Sequence, residues 1–208
     1  MSFQVNYRPF RNEDAKDLVK IILDTWTFDD GVMNAKQSDH IGFAYLYGCM
    51  LQADFTQVAE IEGRAVGIIM GRTCGKRLRP WIGTKLLYHS AMVMLGCFRQ
   101  KNDQSFEGYG EKSDMLDEMS GVTSGAFDAE VALFIVSKEV RGSGVGSELF
   151  RRLNEFFEER GIQHYYLHTD TACNYEFYER KGLKRQAELQ TEISYAGAGN
   201  IKMFVYGK

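Results

Sequence analysis

The feature that most constrains this chain is an apolar strand that runs into a glycine-rich turn and then into an amphipathic helix. Residues 130–137 contain Val-Ala-Leu-Phe-Ile-Val, which is apolar on both faces, as in a strand at the centre of a sheet. A glycine-rich turn follows at 141–146, and apolar side chains then recur every fourth residue up to a helix end at Gly161. A further strand at 164–169 completes a strand–helix–strand unit, which implies that its two strands pair in parallel.

The other elements fit around this unit in one domain of 208 residues. Local patterns predict a strand at 3–7, helices at 12–26 and 35–53, a hairpin of strands at 55–61 and 64–72, a short helix at 171–180, and a closing hairpin at 183–193 and 201–206. The segment at about 73–128 departs from this order and is treated as an insertion. Its first half predicts a helix at 81–98, and its second half is polar and rich in glycine and serine.

Composition narrows the classes of function. The net charge of −3 gives no basic excess of the kind that a dedicated nucleic-acid binder shows, so we expect no nucleic-acid partner. No signal peptide and no span of membrane length is visible, which predicts a cytoplasmic protein without a membrane partner. The four cysteines lie far apart without zinc spacing, and we expect reduced, mostly buried thiols at Cys49, Cys74, Cys97 and Cys173.

The glycine-rich turn has the chemistry of a diphosphate site. Gly142, Gly144 and Gly146 let the backbone approach an anion closely, and the helix start offers unpaired N–H groups with a partial positive charge. Arg141 adds a fixed cation, so the turn predicts a pyrophosphate cradle. A Walker A loop is excluded because no Gly-Lys-Ser/Thr occurs, and a Rossmann fingerprint because Ser147 stands where it needs glycine. A tight turn without a ligand is the alternative.

Two linked motifs carry a family resemblance. The run Val-Arg-Gly-Ser-Gly-Val-Gly at 140–146 resembles the R/Q-x-x-G-x-G/A signature of the GNAT superfamily, the Gcn5-related N-acetyltransferases. Downstream, Asn174 and Tyr178 in Asn-Tyr-Glu-Phe-Tyr-Glu-Arg-Lys-Gly-Leu resemble the family's N…Y…G-F/L element. The chain is identified as a member of this superfamily over roughly 3–72 and 129–206. The long segment between the third and fourth strands departs from the family, in which it is usually short.

The resemblance implies an α/β (α+β) fold with a mostly antiparallel central sheet, helices on both faces, and parallel fourth and fifth strands that splay apart. Acetyl-CoA, a co-substrate that needs no metal, would lie in the resulting cleft. The implied contacts come from the fourth strand, the turn and the downstream motif: Phe134, Ile135, Val136, Arg141, Gly142, Ser143, Gly144, Val145, Gly146, Ser147 and Asn174. The N–H of Val136 or its neighbour would bind the thioester oxygen.

The implied reaction is direct transfer of an acetyl group to a primary amine of a small molecule or peptide. Tyr178 is the candidate catalytic donor to the departing thiolate, with Tyr175 as the competing phenol and core packing as the alternative. The amine must be neutral to attack, so a base or a water relay is expected. Glu130 is the candidate catalytic base. The alternative interpretation of Glu130 is a solvated or salt-bridged glutamate. His164 and His168 are further candidates, although we favour satisfied sheet histidines.

The remaining questions concern the insertion and turnover. The insertion could be a lid, a wall of the acceptor pocket or a dimer contact, so a homodimer stays open. An acyl-CoA-binding regulatory domain without turnover is the alternative function, and a pocket filled by the insertion would favour it.

Asp170 is expected to cap the following helix rather than to act in catalysis.

Overall fold

One sheet organises the chain, and the computed structural model describes residues 4–26, 35–73, 80–100, 125–194 and 200–208. Within these residues the strands are β1 (Asn6–Arg8), β2 (Phe55–Ile61), β3 (Arg64–Thr73), β4 (Ala129–Val136), β5 (Tyr165–Asp170), β6 (Lys184–Ser194) and β7 (Asn200–Gly207). The helices are α1 (Ala15–Thr25), α2 (Ala35–Leu51), α3 (Pro80–Gln100), α4 (Val145–Glu158) and α5 (Glu176–Arg180). Short 3₁₀ turns lie at Asn12–Asp14 and Lys138–Val140.

The strands are arranged in the order β1-β2-β3-β4-β5-β7-β6, and every neighbouring pair is antiparallel except β4 and β5, which are parallel. Helix α4 packs on one face of the sheet, and α1, α2 and α3 form a second core on the other face. The predicted fold class is therefore confirmed, with a mixed, mostly antiparallel sheet between two layers of helices.

The parallel strands pair over a very short length. Only Ala129 with Tyr165 and Glu130 with Tyr166 are partners between β4 and β5. Beyond these two pairs the strands separate, while β4 stays paired with β3 and β5 stays paired with β7. The sheet therefore opens at its centre, as the predicted splay requires.

A bulge in β4 lies where the opening begins. Met70 of β3 pairs with Leu133, but the next residue, Gly71, pairs with Val131, so Ala132 has no partner in the ladder. The extra residue reverses the alternation of side chains along the strand. Val131 belongs to the core under α4, whereas Leu133 belongs to the core under α1 and α2. The bulge therefore bends β4 away from β5 while both faces stay packed.

The first helix begins later than the predicted residue 12. A 3₁₀ turn comes first, and Asp14 secures it by accepting the N–H of Arg11 at 2.7 Å. Asp14 also receives two hydrogen bonds from the Arg8 guanidinium, at 2.8 and 2.7 Å. This buried pair fastens α1 to the first strand, whereas Asn12 instead accepts a hydrogen bond from Lys85 of α3 at 2.9 Å.

The helix predicted at 81–98 in the insertion is confirmed by α3, which packs against α2. Most of the polar remainder of the segment at about 73–128, residues 101–124, lies outside the described residues. No described helix is both long and apolar enough to cross a membrane. Cys49 and Cys173 are free and half-buried, and burial raises the pKa of each thiol to about 12, so both are poor nucleophiles. The side chains of Cys74 and Cys97 lie outside the described part.

Candidate active site

The glycine-rich turn connects β4 to α4 through two left-handed residues. Gly142 has φ 81° and Gly144 has φ 90°, a region that residues with a Cβ adopt only at a cost. A Cβ built on either glycine would meet no atom within 4 Å, so the space beside both is open. The glycines are therefore required by the backbone path, and this path leaves one side of the turn accessible to a ligand.

The start of α4 points its free amides into the same region. The first helical hydrogen bond runs from the N–H of Glu148 to the carbonyl of Gly144, at 3.0 Å. The N–H groups of Val145, Gly146 and Ser147 precede that bond and sit at the positive end of the helix dipole. The hydroxyl of Ser143 closes the turn by donating to the carbonyl of Val140 at 2.6 Å. The turn therefore holds itself in shape and keeps the amides available for an anion.

Arg141 lies at the edge of this turn. Its side chain is exposed, and its Nε approaches the carbonyl of Val136, the last residue of β4, at 3.4 Å. The guanidinium therefore sits between the strand end and the glycines. A cation held there complements an anion bound to the helix amides.

A cavity of about 250 Å³ lies beside α4 near its start. Two lysines and an arginine lie among its lining residues, which are Ser147, Phe150, Arg151, Asn154, Lys181 and Lys208. Arg151 is already engaged by Glu148 and Glu155 on its own helix. Sequence reasoning missed this cavity, because its walls are brought together from α4, the end of α5 and the last strand.

The opening between β4 and β5 exposes backbone groups of β4. The N–H of Ser137 donates to the carbonyl of Val66 in β3 at 2.8 Å. Because amides along a strand point alternately to its two sides, the N–H groups of Phe134 and Val136 point away from β3 and into the opening. Ile135 is different, since its side chain is buried in the core under α1 and α2 and its backbone faces β3.

Tyr178 approaches the opening from the α4 side. It is 9% exposed, and its ring lies 6.4 Å from that of Phe134 between ring centres. Burial raises the pKa of this phenol, and the nearby Cys173 and Asp170 raise it further. Tyr178 is therefore a protonated hydrogen-bond donor throughout the neutral pH range. The competing phenol, Tyr175, packs against Phe204 instead.

The helix that carries Tyr178 is shorter than predicted. It begins at Glu176, so exposed Asn174 precedes it and does not share a helical face with buried Tyr178. Asp170 accounts for the late start, because its carboxylate accepts the N–H groups of Ala172 and Cys173, at 2.8 and 3.0 Å. This local bonding competes with a helical turn. Asp170 thus secures the turn after β5, and the prediction that it caps the following helix is wrong, because that helix begins only at Glu176.

A polar cluster occupies the opposite face of the opening, on the side of α2. Arg72 of β3 forms a salt bridge with Glu130 of β4, and the Tyr166 hydroxyl of β5 donates to Glu130 at 3.0 Å. Glu130 is thus a salt-bridged glutamate, which was the alternative to its prediction as the catalytic base. His168 lies on the same face of β5 as Tyr166, their ring centres 5.4 Å apart. His164, by contrast, is exposed and precedes the strand.

The site thus combines a glycine turn with free helix amides, an open sheet and a buried phenol on adjacent elements. A family model described as "Acetyltransferase (GNAT) family" matches residues 16–183. The chain belongs to this family. No curated protein sequence matches the chain. Because the matched range includes both motifs, the superfamily expected from the sequence is confirmed.

Solved structures agree on the fold. An N-acetyltransferase from Staphylococcus aureus Mu50 is 14% identical with a TM-score of 0.58, over 99% of this chain and 98% of that one. An agmatine N-acetyltransferase is also 14% identical with a TM-score of 0.58, over 98% and 99% of the two chains. In the part of this GNAT chain that the structure describes, no group of three or more His, Cys, Asp or Glu side chains is placed to hold a metal ion.

Proposed function

We propose that this GNAT protein transfers an acetyl group from acetyl-CoA to a primary amine of a small molecule or peptide, by direct attack in a ternary complex. The observation that carries the proposal is the opening of the sheet after two β4–β5 pairs, directly beside the glycine turn. The thioester supplies the activated acyl group, and the chain supplies the binding groups and the proton donors and acceptors. The whole chain would then be one catalytic domain, with the segment at about 73–128 as its insertion.

The glycine turn and the start of α4 would bind the diphosphate of the co-substrate. The fit is supported by the open space beside Gly142 and Gly144 and by the free amides of Val145, Gly146 and Ser147. Ser143 would hold the shape of the turn, because its N–H and its hydroxyl both donate to the carbonyl of Val140. Arg141 lies at the edge of this region, and the exposed Asn174 remains a predicted contact. The proposal therefore keeps the other predicted contacts of the turn, together with Arg141 and Asn174.

The backbone of β4 would guide the pantetheine arm through the opening. Phe134 and Val136 turn their N–H groups into that space, which suits pairing with an added extended segment. The N–H of Val136 or that of Phe134 would hydrogen-bond the thioester oxygen, where negative charge develops during attack. Ile135 is not retained as a contact, because its side chain and backbone serve the core and the ladder.

Tyr178 would stabilise the departing thiolate from the α4 side. An ordinary phenol has a pKa of about 10 and an ordinary thiol about 8.5, so transfer of the proton is already uphill. Burial raises the pKa of Tyr178 further, which makes complete transfer less favourable. Its expected role is therefore a hydrogen bond to the sulfur, with the thiolate completing its protonation from water.

The lysine-containing cavity beside Ser147 would accept the 3′-phosphate of CoA. Replacing Lys181 with Ala should weaken CoA binding by up to about tenfold, the value of one charge-assisted hydrogen bond near the surface. Calorimetry should show a smaller loss for dephospho-CoA, which lacks that phosphate. Equal losses for CoA and dephospho-CoA would place the 3′-phosphate elsewhere.

The proposal is tested by release of free thiol from acetyl-CoA in the presence of single amines. A suitable panel is agmatine, spermidine, glucosamine, tyramine and a lysine-containing peptide, each compared with acetyl-CoA alone. We expect amine-dependent release with at least one of them. Tight CoA binding with no amine-dependent release by any would favour the alternative, an acyl-CoA-binding regulatory domain.

A further inference from the structure

The strongest unexplained group near the opening is the imidazole of His168. Its Nδ1 is a buried side-chain nitrogen for which the described chain supplies no hydrogen-bond partner. Buried polar atoms in folded proteins are nearly always paired, so an orphaned one needs a reason. This finding overturns the preferred sequence interpretation of His168 as a satisfied histidine of the sheet.

The neighbours of His168 cannot satisfy it because they already satisfy one another. Arg72 and Glu130 form a salt bridge, and the Tyr166 hydroxyl donates to that same Glu130. The Tyr166 ring then meets the His168 ring edge to face, at an interplanar angle of 87°. The residue paired with His168 on β7 is Val205, which offers no side-chain partner. The cluster therefore fixes the imidazole in place but leaves Nδ1 unpaired.

His168 lies on β5 just beyond the point where this strand separates from β4. The last β4–β5 pair joins Glu130 to Tyr166, and His168 follows two residues later, where the strands have separated. Side chains two apart on a strand share a face, so His168 lies on the α2 side with Tyr166. Tyr165 and Leu167 pack into the core under α4 on the other face. The imidazole and the anion cradle thus lie on opposite faces of the sheet, with the opening between them.

The charge state of the imidazole suits a proton acceptor. Burial is the main cause that lowers the pKa of His168, and Arg72 lowers it further, while Glu130 opposes both. Cys49 of α2 lies near Glu130 with a thiol that burial keeps protonated, so it adds no charge at neutral pH. His168 is therefore neutral at pH 7, with a ring nitrogen able to accept a proton.

We propose that His168 is the catalytic base, and that its Nδ1 takes the proton of the acceptor amine as that amine attacks from the α2 side. The inference rests on the proposed acetyl transfer. In the step, the amine nitrogen forms a bond to the acyl carbon and the carbon–sulfur bond breaks. The amine proton passes to Nδ1, the sulfur leaves as a thiolate hydrogen-bonded to Tyr178, and water exchanges the proton from His168 to the thiolate.

Glu130 has a positioning role in this arrangement rather than the role of base. Its carboxylate is 13% exposed and is shared between the Arg72 guanidinium and the Tyr166 hydroxyl. Its Oε2 atom is already engaged by both of these donors. Its negative charge instead raises the affinity of His168 for a proton, and its bond to Tyr166 holds the ring against which the imidazole packs.

The first test compares His168→Gln with His164→Gln, a matched control on the exposed histidine four residues earlier. For His168→Gln we expect kcat to fall about 10²- to 10⁴-fold, the usual contribution of general-base catalysis, with CoA affinity by calorimetry unchanged. His164→Gln should behave like the parent. The amine is the one from the panel with the highest kcat/KM, and melting temperatures establish that both variants fold.

The second test is the pH profile of kcat/KM. The parent should lose activity below a pKa lower than the ordinary histidine value of about 6.5, and His168→Gln should lack that limb. Glu130→Gln removes a charge that raises the His168 pKa, so it should retain the limb but move it to lower pH. Added imidazole should partly restore His168→Ala, as a purely structural role would not allow.

The outcomes separate the two proposals. If the parent turns over an amine but His168→Gln keeps the parental kcat and acid limb, the base is not His168. If Glu130→Gln loses the limb together with at least about 10² in kcat, Glu130 is the base instead. If the parent binds CoA and acetylates no amine of the panel, the proposed acetyl transfer fails, and the inference fails with it.

Discussion

The anion cradle can be tested with two substitutions of nearly equal size at Gly144. Gly144 has φ 90°, so any other residue there carries a backbone cost of about 1–2 kcal/mol. Gly144→Gln and Gly144→Glu share that cost and enter the same open space. They differ only in charge, which isolates the electrostatic part of diphosphate binding from the strain.

The size of the electrostatic part follows from Coulomb's law. A carboxylate about 5 Å from one phosphate charge is repelled by about 1 kcal/mol at the dielectric of water, and by about 3 kcal/mol at an effective dielectric near 20. Since about 1.4 kcal/mol is a factor of ten, Gly144→Glu should bind CoA roughly 5- to 200-fold more weakly than Gly144→Gln. For a chain of this size, the shared strain should lower both melting temperatures by about 2–8 °C.

Calorimetric titration with CoA gives the affinities, and thermal unfolding gives the stabilities. We expect the two variants to melt together and to differ in affinity, and added salt should narrow the difference. Equal affinities in two folded variants would show that no diphosphate lies beside Gly144, and would refute the reasoning.

Three further predictions concern other parts of the molecule. Tyr178→Phe should lower kcat at least about tenfold and leave CoA affinity unchanged, and equal turnover would exclude a role at the sulfur. Asp14→Ala leaves the buried Arg8 guanidinium without its Asp14 partner and should lower the free energy of unfolding by about 3–5 kcal/mol. The melting temperature should then fall by about 6–20 °C, and a drop of only one or two degrees would contradict this. Because the pKa values of His89 and His168 are lowered on folding, the unfolded chain binds protons more readily, and the urea midpoint should fall as pH drops through about 6.5. A flat midpoint across that range would contradict those shifts.

The shape of the glycine turn was predictable because its causes are local. The left-handed glycines, the helix that follows and the strand before it are all specified within residues 130–160, and each obeys short-range rules. The opening of the sheet is not local. It depends on the bulge at Ala132. Because both faces of β4 are buried, the side chains are apolar on either side of the bulge. The reversed alternation therefore cannot be read from the apolar sequence.

The acceptor side was least visible in the sequence. Arg72 and Glu130 are far apart in the chain, and only the pairing of β3 with β4 makes them partners. Among the described residues the Nδ1 of His168 finds no hydrogen-bond partner, which is likewise a property of the packed cluster rather than of any one segment. Asn174 was misplaced for a similar reason, because the side chain of Asp170 bonds the turn and delays the helix.

The central claim concerns where the diphosphate of CoA lies, and a crystal structure of the CoA complex measures it directly. We expect phosphate oxygens within about 2.7–3.2 Å of backbone nitrogens between Gly144 and Ser147, with the thiol end in the gap between β4 and β5. CoA bound on another surface, with these amides turned to water, would contradict the account.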